Sequence, residues 1–472
     1  MSGQQLQPGM PMSGANESPA ASPVGPRRPL RIAFLTYRGN PTTGGQGVYT
    51  RHLTREIAAL GHHVEVLSGP PYPELDPGVK LVKIPSLDFY RSDNPLRKTA
   101  FLDIRSDIDL LEYLMLCTAS FPEPLTFSLR AARWFKDHVN DFDIVHDNQC
   151  LAWGLLQTEK LGLPVMATFH HPITVDRELD LAHATTRRRR MSLRRFYGFL
   201  RMQKKVAPRL KRIITVSSSS RKDIAAQMGV PLETMHVVPV GVDVERFRPL
   251  PEIANVPGRL MTTASADVPM KGLNHLLEAV AKLVRDGRQV ELVVIGKPRP
   301  ESGALKNISR LGLDGVVRFV SGVTDQRIVE LYAEAEVAVV PSLYEGFSLP
   351  AVEAMACGVP LVGTTGGAIP EVAGTSGETA LLVRPADPDA LAGALAQMLD
   401  SPEMRERIGN AGRARVMEKF TWRACALGTV EQYYEYLESL GRSTTAAAAD
   451  RAAGAAEGGA EPALAVAGTE VH

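Results

Sequence analysis

The chain has 472 residues, is 44% apolar and carries 53 basic against 52 acidic side chains, a net charge of +1, so its global charge does not point to nucleic acid. Its length exceeds what one hydrophobic core usually serves, so two domains flanked by tails are expected. No stretch approaches the roughly 18 apolar residues that span a bilayer. The four cysteines, Cys117, Cys150, Cys357 and Cys425, lack metal-ligand or redox spacing, which favours a reducing, cytoplasmic setting.

Residues 1–29 are rich in Pro, Gly and Ser and have no apolar signal core, which reads as a disordered tail and argues against export. A first domain is expected over 30–247, with strands at 31–37, 63–68, 143–147, 165–170, 212–217 and 236–240. The helix expected over 48–60 is stopped by Gly61. Between the first strand and this helix lie Gly44, Gly45 and Gly47, which do not form the Gly-x-Gly-x-x-Gly fingerprint. Such a loop either lets backbone approach a sugar-phosphate or is a simple flexible turn. Residues 89–134 fit the alternation poorly and read as an insertion. His170 and His171 close the strand at 165–170, where a buried histidine satisfied by a backbone bond is the ordinary alternative to a functional one.

From Leu181 to Lys222 there is no acidic residue, while Arg187, Arg188, Arg189, Arg190, Arg194 and Arg195 head a run of basic ones, and Leu193, Phe196, Tyr197 and Leu200 recur at helical spacing. Segment 187–212 is therefore a candidate for an anionic membrane surface, peripheral on the inner face. It also reads as an ordinary helix with a solvated charged face, or as a basic wall facing a phosphorylated acceptor.

A Pro-containing linker is expected over 248–258 and a second domain over 259–420. Its strands are placed at 260–265, 290–295, 316–320, 337–341 and 361–364, and its helices at 274–285 and 326–335. A helix over 421–440 is read as returning to the first domain, and 441–472 as a disordered Ala/Gly-rich tail. Continuous apolar runs joined by helices imply α/β domains with parallel, doubly wound sheets covered on both faces. Two such domains leave a cleft between the carboxyl ends of their strands.

The chemistry concentrates in Pro341-Ser-Leu-Tyr-Glu345-Gly346-Phe347-Ser348-Leu349-Pro350-Ala-Val-Glu353-Ala-Met-Ala-Cys-Gly358. A strand ends near Pro341, Pro350 suits a first helical turn and Gly358 the position past the last one. Backbone N–H groups of residues 347–349 then lie near a helix N-terminus, a ready site for phosphate. Glu345 in the loop and Glu353 in the helix are acceptor-only groups suited to sugar hydroxyls. The competing reading is that both merely favour the positive end of the helix dipole.

With Gly44-Gly45-Gln-Gly-Val, Thr168-Phe-His170, Gly241-Val-Asp243-Val-Glu-Arg-Phe-Arg-Pro249, Lys271-Gly272-Leu, Val294-Ile-Gly296 and Gly366-Gly367-Ala-Ile-Pro-Glu371, this segment forms an ordered set. Across most of residues 30–440 the set resembles the large family of retaining glycosyltransferases with the GT-B fold (glycosyltransferase family 4-like, glycosyl transferases group 1), whose two glutamates are separated by seven residues. The resemblance implies two Rossmann-like domains facing an inter-domain cleft, and hexosyl transfer from a nucleoside-diphosphate sugar to an acceptor hydroxyl. It implies no resident cofactor and no metal. It carries Glu345 to the donor sugar, Glu353 to the ribose, Gly346, Phe347, Ser348 and Leu349 to the diphosphate through their amides, Lys271 to the leaving diphosphate and His170 to the reacting sugar. Gly44, Gly45, Gly296 and Lys297 join the donor-binding set. The family's arginine about six residues before the lysine is Ser265 here, so Lys297 or Arg299 is a candidate substitute. The rival readings are a nucleotide-sugar epimerase, a pyridoxal-phosphate phosphorylase of similar architecture, and a non-catalytic sugar-nucleotide-binding subunit.

Overall fold

The computed structural model describes residues 27–40, 45–89, 102–184, 186–263, 268–299 and 302–445. The expected tails fall almost entirely outside the described residues, as do Gly44 and Ser265. Two compact units are present. One comprises Leu30–Tyr436, and the other is formed by the terminal segments, where Arg28 N donates to Thr444 O at 2.8 Å.

Leu30–Tyr436 contains two parallel sheets. The first is built from β1 (Arg31–Thr36), β2 (His63–Ser68), β3 (Lys80–Lys83), β4 (Ile144–Asn148), β5 (Val165–Thr168), β6 (Arg212–Thr215) and β7 (Met235–Val237), in the spatial order β3-β2-β1-β4-β5-β6-β7. The second is built from β8 (Arg259–Thr263), β9 (Glu291–Ile295), β10 (Val317–Val320), β11 (Val337–Val340), β12 (Leu361–Thr364) and β13 (Leu381–Val383), in the order β10-β9-β8-β11-β12-β13. In both, the order reverses beside the first strand. This gives switch points between β1 and β4 and between β8 and β11, where the loops leaving the strands part and make room for a ligand.

The central strands are buried along nearly their whole length, as for β4, β5, β11 and β12. Both faces of these strands are covered by helices, which is why their sequences are continuous apolar runs rather than alternating ones. The helix Leu273–Arg285 shows the complementary pattern: Leu273, Leu276, Leu277, Val280 and Leu283 are buried at helical spacing against the second sheet.

Several expected elements shift. The first helix begins earlier than expected, at Gly45, and ends at Ala59. β5 stops at Thr168, which leaves His170 in the loop beyond it rather than on the strand. β7 ends at Val237 rather than 240. The supposed insertion at 89–134 contains two helices, Asp107–Cys117 and Glu123–Phe135. The edge strands β3 and β13 were not anticipated, being four and three residues long without a fully buried run.

Two crossings join the sheets. Val242 N donates to Phe420 O at 2.8 Å, and the chain then enters the helix Trp422–Ser439. Residues of that helix meet the first sheet: Tyr433 Oη lies 2.5 Å from His146 Nδ1 on β4, and Arg212 on β6 donates to Gln432 at 2.8 Å.

Candidate functional site

The second-sheet half of the site is set by the two loops at its switch point. After β8 a short turn, Pro269–Lys271, leads to Gly272, which adopts φ +69° and starts the helix Leu273–Arg285. A β-carbon on Gly272 would lie 1.9 Å from the carbonyl oxygen of Pro341, so only glycine lets the two loops pass. Leu343 N donates to Met270 O at 2.8 Å and locks them together.

The contact brings Lys271 onto Glu345. Lys271 Nζ lies 2.8 and 3.1 Å from the two carboxylate oxygens of Glu345, which also accepts from Ser342 Oγ at 2.7 Å. Glu345 is buried and Lys271 retains 32% side-chain exposure. A buried carboxylate needs such partners, because burying it unpaired is costly. The two residues assigned separately to sugar and diphosphate are thus one ion pair, with one ammonium proton left over for a further anion.

The helix Leu349–Ala356 starts directly after this loop, with Pro350 in its first turn. As at any helix start, its first amide N–H groups have no intrahelical partner. Ser348 is fully buried, and among the described residues its side chain caps nothing and its hydroxyl has no hydrogen-bond partner. Phe347 turns its ring toward Phe420, 6.1 Å away. Glu353 retains part of its surface, yet its carboxyl group is surrounded by protein; burial, then the charge of Asp325, push it up to about 8. Gly296 ends β9, and the following Lys297 is exposed without an ion pair among the described residues.

The first-sheet half surrounds β4 and β5. His170 Nε2 lies 2.8 Å from Asn148 Oδ1, and the Tyr49 ring packs edge-on against the imidazole at 4.6 Å. Burial, then the neighbouring His171, hold His170 down to about 3, so it is neutral. Beneath it runs a chain that the sequence did not reveal: Tyr433 to His146 to Thr168 Oγ1 at 2.7 Å, and on to Tyr49 Oη at 3.2 Å. Of the glycines, Gly45 has open space where a side chain would be, whereas a β-carbon on Gly47 would lie 2.0 Å from Asn40 O. The steric requirement therefore falls on Gly47.

The halves touch at the start of the helix Ser218–Met228. Glu371 accepts from Ser218 N at 2.7 Å and Ser219 N at 2.9 Å, placing a carboxylate on the helix N-terminus. Ser217 Oγ and Ser220 Oγ donate to Gly346 O at 2.5 and 3.0 Å, and Tyr344 Oη donates to Asp223. The loop bearing Glu345 is therefore held from the opposite domain. Glu371 ends the 366–371 motif, but its contact between domains has no signature in local spacing.

The basic segment forms the helix Arg187–Phe196 and the turn after it. Leu193, Tyr197, Phe199 and Leu200 are buried with Phe121 and Ala184. Arg187, Arg188, Arg189, Arg190, Arg194 and Arg195 are exposed. The apolar face is thus occupied by protein and the arginines form a solvated ridge, the arrangement of an ordinary surface helix. Among the described residues no helix is long and apolar enough to cross a membrane.

Comparisons with known proteins agree with this geometry. Residues 253–415 match the glycosyl transferases group 1 family and residues 43–246 match glycosyltransferase family 4. The chain is 52% identical over 405 residues to the MMP α-(1→4)-mannosyltransferase of Mycolicibacterium hassiacum, covering 86% of this chain and 98% of that protein. It is 28% identical to the D-inositol 3-phosphate glycosyltransferase of Streptomyces coelicolor, covering 90% and 96%. Among solved structures, Anabaena HepE in complex with UDP matches with a TM-score of 0.62 at 17% identity, covering 86% of this chain and 100% of that one. Sucrose-phosphate synthase from Thermosynechococcus elongatus matches with a TM-score of 0.61 at 22% identity, covering 87% and 100%. With two doubly wound domains, both family matches and a relative sharing half its residues, this chain belongs to the GT-B glycosyltransferases of the glycosyl transferases group 1 family.

Proposed function

We propose that the enzyme transfers a mannosyl group from a nucleoside-diphosphate sugar to an acceptor hydroxyl, with retention at the anomeric carbon. The observation that carries the donor reading is the Lys271–Glu345 pair seated on the loop that opens the helix Leu349–Ala356. A cation, a helix start and a buried carboxylate side by side suit a ligand that is part diphosphate and part polyol. Mannose is inferred from the 52% identical relative, which is named for α-(1→4)-mannosyl transfer.

In this reading Glu345 accepts from hydroxyls of the hexose, and Glu353 from the ribose. Lys271, the Ser348 hydroxyl and the amides of Gly346, Phe347, Ser348 and Leu349 meet the diphosphate. Gly45, Gly296 and Lys297 border it, with Lys297 as the second cation, and His170 lies beside the reacting sugar. The bond from the anomeric carbon to the phosphate oxygen breaks, the bond to the acceptor oxygen forms on the same face, and the acceptor proton passes to the leaving phosphate. Charge developing on that phosphate is met by groups already fixed in place, which is where preorganised sites gain most. The free thiols, three of the four buried, suit a cytoplasmic enzyme.

A thermal-shift panel of GDP-, UDP- and ADP-hexoses tests the donor class. One donor at 100 times its Kd should stabilise the fold by about 2.7 kcal/mol. If none raises Tm, the donor assignment is wrong. The same titration on Lys297→Ala should show weaker binding, and unchanged affinity would remove Lys297 from the site.

Glu353 adds a pH signature. Its folded pKa of about 8 lies above the ordinary carboxylate value, so the folded state holds its proton more tightly than the unfolded chain. Its ionisation thus destabilises the fold as pH rises from the ordinary carboxylate range to about 8. Ribose hydroxyls donate to the ionised form, so donor binding should release a proton and tighten several-fold between pH 6 and about 8, levelling off above. Calorimetry in buffers of different ionisation enthalpy should detect that proton, and Glu353→Gln should abolish both effects. A pH-independent affinity in the unaltered enzyme would contradict the ribose role.

A further inference from the structure

β4 ends at Asn148, beside β1 at the switch point of the first sheet, and the side chains of Asn148 and Gln149 are both buried. Asn148 Nδ2 faces the Gln46 carbonyl at 3.4 Å and Thr50 Oγ1 at 3.3 Å. A carbonyl only accepts, so this contact fixes which end of the amide is nitrogen and turns Oδ1 toward His170 Nε2. An amide oxygen also only accepts, so Nε2 must carry a proton. In a neutral ring Nδ1 is then bare, and it has no hydrogen-bond partner among the described residues.

Gln149 fixes the backbone on either side of the ring. Its Oε1 accepts from His170 N at 2.9 Å and its Nε2 donates to His171 O at 3.0 Å. To do this the loop holds two non-glycine residues in the left-handed region, Gln149 at φ 59° and Leu151 at φ 51°. Such conformations persist only when their surroundings over-determine them. Here Asp147 accepts from Leu151 N at 3.0 Å and Gln203 donates to Cys150 O at 3.1 Å.

We propose that Asn148 and Gln149 are positioning residues that hold His170 in one orientation and one tautomer, Nε2–H, so that Nδ1 is offered as a hydrogen-bond acceptor to a hydroxyl of the reacting sugar. The proposal rests on the placement of His170 in the transfer site. It makes His170 an acceptor only, neither the acid nor the base of the reaction. Asn148 also joins the helix that follows the glycine loop to the loop after β5, so one amide sets the position of the sugar's neighbours on both sides. The other titratable groups close to the ring are His171, His146 on β4 and Tyr49 on the helix Gly45–Ala59.

Ring-nitrogen NMR of the full-length protein, with His170→Gln used to assign the signal, reads the tautomer directly. The expected signature is neutral Nε2–H, unchanged from pH 6 to 8; an Nδ1–H ring or an imidazolium would overturn the proposal without any test variant having to fold. Asn148→Asp places a carboxylate against Nε2–H and should raise the imidazole pKa into this range. Its kcat/KM should then fall about tenfold further from pH 8 to 6 than that of the unaltered enzyme, whose own decline over this range comes from Glu353, while Gln149→Ala should lose about tenfold at every pH relative to the unaltered enzyme. A folded Asn148→Asp enzyme with the original pH profile and ring signal would also overturn it. If His170→Gln transfers normally, the placement of His170 fails, and the ring signal still decides whether Asn148 sets the tautomer.

Discussion

Lys271→Ala is expected to lower kcat for transfer by about 10²–10³-fold, the loss typical of removing one preorganised donor from a developing oxyanion. The structure adds a second consequence. Among the described residues Lys271 supplies two of the three short contacts to the buried Glu345 carboxylate, leaving Ser342 when it is removed. An under-satisfied buried charge should cost roughly 1–3 kcal/mol of stability. The double variant Lys271→Ala with Glu345→Gln removes both charges and should recover much of that stability, as replacing both partners of a buried pair commonly does. It should recover none of the turnover. Calorimetric unfolding beside steady-state kinetics separates the two effects. A double variant that regains transfer would show that the pair is structural, and a single variant within threefold of the starting kcat would take Lys271 out of the chemistry.

Glu371→Ala should reduce kcat/KM by roughly 10- to 100-fold although its carboxylate is directed to the opposite domain. Glu371 binds the first two amides of the helix Ser218–Met228, whose N-terminal serines in turn hold the Gly346 carbonyl. Removing it deletes two charge-assisted hydrogen bonds, worth about 1.5–3 kcal/mol each at most and less in this partly exposed setting. The loss falls on domain closure rather than on the fold of either domain. Spin labels placed one on each sheet domain should therefore report longer, broader distances, while unfolding of each domain is nearly unchanged. Glu371→Gln keeps one acceptor oxygen and should fall between the two. An unaltered distance distribution with unaltered kinetics would mean that the contact does not contribute to assembly of the site.

The local elements were legible because they depend on local rules. Runs such as Val337–Val340 and Leu361–Thr364 are continuous and apolar because parallel strands are covered on both faces. Pro350 marks the helix start at the donor loop. The Lys271–Glu345 contact was not legible: the residues are 74 positions apart, and their meeting depends on Gly272 letting one loop pass another. Glu371, Asn148 and Gln149 escaped for the same reason, since each acts on a partner at least 21 residues away. For the basic segment the sequence left several readings open. Spacing showed an amphipathic helix, but only the packing of Leu193 and Tyr197 against Phe121 showed what covers its apolar face. β3 and β13 are too short to carry a periodicity signal, and β5 ends before His170 because the chain there turns toward Gln149.

The most direct test of the central claim is the anomeric proton spectrum of the product as it first forms, with the donor selected by thermal shift and an acceptor found by screening hydroxyl compounds for transfer. A transfer site built on Lys271, Glu345 and a leaving phosphate that takes the acceptor proton on the same face predicts that the new glycosidic bond has the donor's anomeric configuration from the earliest time point. A product of inverted configuration would contradict it.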